Sequence, residues 1–153
     1  MSLIDIKKIF PNGFIPAKLD TYDDGARALF KLEEFELVNN IFEVSFIFRA
    51  EKLVRVKLDH KSHTNKFQSH KVYHSLKQAL TEKYGKGIIT NNDNYHDFTN
   101  LGIDWLSSSG VNISLSLLIA GSNTVGHITN VNLTYEIRRL STEINIQDEL
   151  GKL

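Results

Sequence analysis

Four of the chain's six histidines fall within one stretch, DHKSHTNKFQSHKVYH, at His60, His63, His70 and His74. His70 and His74 stand four apart in a segment of helical periodicity. That spacing puts two imidazoles on one helix face, where they could chelate a metal ion. A structural zinc ion usually takes four ligands, so His60 and His63 would have to fold back from the preceding loop to complete the set. All four together would make a metal-binding protein or a metal-dependent enzyme. Lys71, however, stands where the zinc-protease helix carries its glutamate base, which removes hydrolytic chemistry of that kind. Without a metal the same residues form a basic face. Taking roughly 100° per residue, His70 and His74 project with Lys77 and Thr81 away from the apolar stripe of Val72, Leu76, Ala79 and Leu80. On this reading His70, Lys71, His74 and Lys77 are contact residues for an acidic protein surface, no metal or other cofactor is expected, and the histidines gain charge near about pH 6.

Other chemical motifs fail on their own terms. The glycines of Gly121 to Gly126 lie between two strands and lack the Gly-Lys-Ser/Thr ending, whereas a phosphate cradle needs a following helix N-terminus. The Ser107 to Gly110 segment has no upstream glycine and no helix after it, so it is not a nucleophile elbow. Asp93, Asp97 and Asp104 lack the glycine and glutamate of a calcium loop. With no catalytic set in view, the expectation is a protein that is not an enzyme.

Composition narrows the classes further. At 153 residues, 41% hydrophobic and 24% charged, the chain suits a single domain over 1–153 with an ordinary core. It contains no cysteine, which excludes disulfides, thiolate catalysis and cysteine-bound zinc. The opening MSLIDIKKIF lacks the charge-then-apolar order of a signal peptide and no run spans a bilayer, so a cytoplasmic protein without a membrane partner is expected. Eighteen basic and eighteen acidic side chains cancel overall, but ten basic residues face only three acidic ones between Arg49 and Lys86. Phe67 and Tyr73 could stack on bases within that segment. Arg55 and Lys57 nevertheless belong to the opposite side of a sheet from the helix charges, so no continuous nucleic-acid groove is expected.

The elements that must position these residues follow from periodicity. Phe42, Val44, Phe46 and Phe48 alternate with Glu43 and Ser45, and Val54, Val56 and Leu58 alternate with Arg55 and Lys57, as in strands with one buried face. Before these strands, Leu29 to Val38 is apolar-rich but changes phase around Glu33 and Glu34, which predicts a bulge, and a turn follows at Asn39 and Asn40. A helix is predicted over Asn65 to Tyr84, ended by Gly85. A short strand at Gly87 to Thr90, a polar loop over Asn91 to Asn100 and a strand at Ile103 to Leu106 come next. Two longer alternations follow, Val111 to Ile119 and Val131 to Ile137. A short helix from Ser141 to Leu150 is predicted at the end. The fold class is therefore α+β: a three-stranded antiparallel meander, a long helix packed on one sheet face, and three to four further strands. The outward residues Ser45, Asn112, Ser114, Ser116, Asn132, Thr134 and Glu136 predict a wet polar face.

The run Leu80-Thr-Glu-Lys-Tyr-Gly85, then Trp105, Ile113-Ser-Leu115 and Leu133-Thr-Tyr135, resembles a pattern in small bacterial α+β proteins of unknown function. In those a helix ends in Leu-x-x-x-Tyr-Gly and is followed by tryptophan and Leu-x-Tyr strands. They often carry proline where this chain has Gly87. The resemblance implies an α+β scaffold and transfers no site. The functional expectation is a non-catalytic binding protein, in its most concrete form a toxin-neutralising immunity-type protein. An oligomeric scaffold using the polar sheet face or an open edge strand is the other alternative to metal chemistry, and the oligomeric state is left open.

Overall fold

Local alternation builds one sheet from strands far apart in sequence. The computed structural model describes residues 1–61, 66–122 and 126–137. It comprises α1 (Leu3–Ile9), β1 (Arg27–Leu37), β2 (Asn40–Arg49), β3 (Lys52–His60), α2 (Lys66–Tyr84), β4 (Ile88–Tyr95), β5 (Phe98–Leu106), β6 (Val111–Ser122) and β7 (Gly126–Ile137). The seven strands lie in the order β1-β2-β3-β7-β6-β5-β4, and every neighbouring pair is antiparallel. The α+β class with an antiparallel sheet holds. The layout is more specific than the periodicity implied, because the last strand returns to pair with β3 and joins two meanders into one sheet. No helix among the described residues is long and apolar enough to cross a membrane. The expected helix from Ser141 to Leu150 lies outside the described residues.

One face of the sheet carries the core. Phe42, Val44, Val56, Leu58, Ile113, Leu117, Leu133 and Tyr135 are fully buried there, and α2 lies against the β5, β6 and β7 part of this cluster with Val72, Tyr73, Leu76 and Leu80. Burying a leucine such as Leu76 or Leu80 contributes about 1.5–3 kcal/mol. α1 covers another part of the same cluster with Ile6. Its Ser2 and Asp5 form a reciprocal capping box, a Ser-x-x-Asp signal that the hydrophobic pattern alone does not display. Phe10, which follows the helix, packs its ring 5.3 Å from that of Phe46 and 6.5 Å from that of Phe35.

Several local expectations shift. The bulge at Glu33 and Glu34 is present between Leu32 and Phe35. The first turn is one residue earlier than expected, with positive φ at Val38 and Asn39. A second bulge, opposite the Ile47–Phe48 step, gives the core position to Leu53. Val54 packs instead with Ala26, Ala28 and Ile47, because one extra residue in a strand reverses the facing of what precedes it. Ser45 and Asn112 are buried, not wet. By register they lie between the longer side chains of Lys31 and Lys57, and of Leu106 and Glu136.

The polar segment Asn91 to Asn100 is not a loop. It forms most of β4, a two-residue turn at His96 and Asp97, and the start of β5. β4 is exposed along nearly its whole length and adds nothing to the core cluster. A strand wet on both faces carries no apolar alternation, so periodicity cannot distinguish it from a loop.

Candidate functional site: a cleft between the long helix and the edge hairpin

The phase of α2 decides where its histidines go. Its buried residues are Ser69, Val72, Tyr73, Leu76 and Leu80, with Ala79 only partly buried. Compared with the expected stripe, the buried face is turned by roughly 30° toward Tyr73. The cause is the large phenol, which enters the core at 3% exposure. That turn brings His70 and Lys77 from the wet side to the flank of the helix, where both are half-buried.

On that flank a cleft of about 280 Å³ separates α2 from the β4–β5 hairpin. His70, Tyr73, His74 and Lys77 form its helical wall, and Ile89, Asn92, Asn94, Leu101 and Ile103 line the other. The strand wall follows from register, because Ile89 faces Ile103, Asn92 faces Leu101 and Asn94 faces Thr99, and directly opposed residues share a face. The Thr99 hydroxyl donates to Asn94 Oδ1 at 2.9 Å, which orients one amide of the wall. His70 and His74 stack with ring centroids 6.1 Å apart at 15°. Tyr73 meets His74 edge-on at 5.4 Å.

Charge in the cleft is of one sign. Burial, then the neighbouring His74, then Lys66, hold the His70 pKa below the ordinary imidazole value. Burial pushes the Tyr73 phenol up, so it stays neutral. Among the described residues no carboxylate lines the cleft, and neither Lys71 nor Lys77 has an ion-pair partner. The opposite sheet face differs. There Arg55 bridges Asp24 at 3.3 Å and Glu136 at 3.4 Å, and Lys57 pairs with Asp59 at 3.3 Å. Arg49 also pairs with Asp24.

No family model, curated protein or solved structure gives a significant match to this chain. The cleft must therefore be read from its own chemistry. Three of the four expected contact residues, His70, His74 and Lys77, meet there, while Lys71 is exposed and does not line it. His60 is not in a loop but closes β3, 5% exposed, with its ring edge-on to Phe42 at 5.5 Å. His63 lies outside the described residues. Among the described residues no group of three or more His, Asp or Glu side chains could hold a metal ion. The strand wall of asparagines escaped the sequence reading. Its available signal was the β-forming flanks Ile88-Ile89-Thr90 and Tyr95 around the polar run, with two residues to turn before Phe98.

A second concavity of about 420 Å³ lies at the C-terminal end of α2, between Tyr84, Lys86, Ile88 and Trp105. Trp105 is 3% exposed, and its indole N–H donates to the Gly85 carbonyl at 3.0 Å. The tryptophan therefore fastens the helix end to the sheet.

Proposed function

We propose that this chain is a non-catalytic binding protein that engages an acidic protein surface through His70, Lys71, His74 and Lys77. The observation that carries the reading is the convergence of His70, His74 and Lys77 on one cleft that no carboxylate lines among the described residues. Positive charge left unneutralised beside a wall of amides suits carboxylate groups, for which lysine and protonated histidine donate charge-assisted hydrogen bonds. A toxin-neutralising immunity-type protein is the most specific form of the proposal, since such a partner would be held largely by charge complementarity.

The test uses poly-glutamate as a probe, measured by calorimetry at low and moderate salt. Binding should weaken as salt rises, and the Lys71→Glu/Lys77→Glu variant should lose it. Affinity unchanged by salt or by the charge reversal would refute the reading. The stacked pair His70 and His74 supports a second reading, a metal-binding site. Stoichiometric zinc in untagged protein, lost in His74→Ala, would establish that instead.

A further inference from the structure

We propose that β4 is the docking edge for the partner: an extended acidic segment adds beside it as an eighth strand and places alternate carboxylates at the mouth of the cleft. This rests on the acidic-partner reading above and specifies how the partner is held.

The two edges of the sheet are treated differently. Along β1, the backbone of Phe14 exchanges two hydrogen bonds with Lys31, both at 2.9 Å, and Asp20 accepts from Ala28 at 3.0 Å. Among the described residues that edge is covered over Arg27 to Lys31. β4 pairs only with β5, and among the described residues no other backbone group bonds to Ile88–Tyr95. Every second residue of an edge strand directs its N–H and C=O away from its one partner. Edges of this kind are usually blunted by lysine, proline or a bulge. Here the irregularity between Ile89 and Asn91 and the charge of Asp93 do so, and the pairing of Asn91 to Tyr95 stays regular.

Charge selects the occupant. Asn92 and Asn94 face the α2 side, and Asp93 faces the other. A strand paired along Asn91 to Tyr95 therefore sets every second side chain toward Lys77, His74 and His70. The intervening side chains fall on the side of Asp93 and Asp104. Carboxylates are favoured at the first set and disfavoured at the second, so the preferred segment alternates acidic and non-acidic residues with period two. A second copy of this chain meets the opposite condition. Two β4 edges with their helices on one face would bring two basic flanks together.

The experiment titrates the intact protein with a short, end-blocked peptide alternating glutamate and threonine, followed by amide NMR shifts and calorimetry. A comparator has the same composition with its glutamates contiguous. Two further peptides are N-methylated, one at the glutamates and the other at the threonines, so that only one of them loses the N–H groups that face β4. The alternating peptide should shift Asn91 to Tyr95 and bind about tenfold more tightly than the contiguous one. One methylated peptide should retain affinity and the other should lose it. Lys77→Ala should weaken binding about three- to fivefold, the effect of one exposed ion pair. No binding by the alternating peptide, or equal binding by the two methylated peptides, overturns strand addition. If binding in the latter case still falls with salt and with Lys77→Ala, the acidic-partner reading survives alone. Binding that ignores both overturns that reading as well. Concentration-dependent dimerisation that protects the β4 amides would replace the partner by a second copy.

Discussion

His70 stands where three influences on a proton can be separated. Partial burial and two positive neighbours, His74 and Lys66, all favour its neutral form. The groups facing it across the cleft, Asn92 and Asn94, are uncharged. Its folded-state pKa is therefore depressed relative to the unfolded chain. The associated stability is present above about pH 6.5 and is lost as pH falls through that value toward the folded pKa. NMR titration of the imidazole should place His70 below the ordinary histidine range, and His74→Ala should move it upward. An acidic ligand in the cleft should also raise it, so affinity should increase as pH falls toward the His70 pKa. At the far end of α2, Gly87 answers a different constraint. A Cβ there would lie 2.6 Å from Ile103 Cγ1 and 2.8 Å from Trp105 Cε2. Gly87→Ala should destabilise the fold by about 1–3 kcal/mol through overpacking. Trp105→Phe should cost a similar amount, because it leaves the Gly85 carbonyl without its indole donor. Urea denaturation would measure both, and as neighbours the two changes should not add.

At the scale of elements, the hairpins of the first meander turn through residues of which only Asn39 suits positive φ. Val38 and Asn39 join β1 to β2, and Ala50 and Glu51 join β2 to β3, all four with φ between 48° and 64°. Left-handed backbone at consecutive positions is the geometry of a two-residue hairpin that favours Asn-Gly. Ala50 and Glu51 are exposed, so the double change Ala50→Asn/Glu51→Gly should stabilise by about 1 kcal/mol. A higher urea midpoint at unchanged slope would show it. These turns also mark the reach of sequence reading. The alternation Phe42 to Phe48 announces β2 because a half-buried strand must alternate. The bulge that moves Val54 out of the core depends on the partner strand and has no local sign. The helix was legible from Val72, Leu76 and Leu80, but its rotation was not. Tyr73 is amphipathic, and only the space beneath it decides which side it takes.

Across the whole molecule, stability should follow the sheet order. β6 and β7 are bonded on both sides and carry a fully buried row, whereas among the described residues β4 has one partner and adds no side chain to the core. Native-state hydrogen exchange should find β4 the least protected strand and β6 among the most protected. Slow exchange throughout β4 in the isolated protein would mean that its edge is already covered, and would count against strand addition. What the amino-acid sequence determined by itself is the set of half-buried strands, the long helix with its glycine stop, and the concentration of positive charge on and before that helix. Periodicity and charge are properties of a single segment, so they can be read without neighbours. The tertiary structure alone decided that β7 lies between β3 and β6, that the asparagine run is an edge strand, and that His70, His74 and Lys77 line a cleft. Each of these depends on which distant segment supplies the opposing surface, and pairing of exposed backbone leaves no pattern in side-chain hydrophobicity.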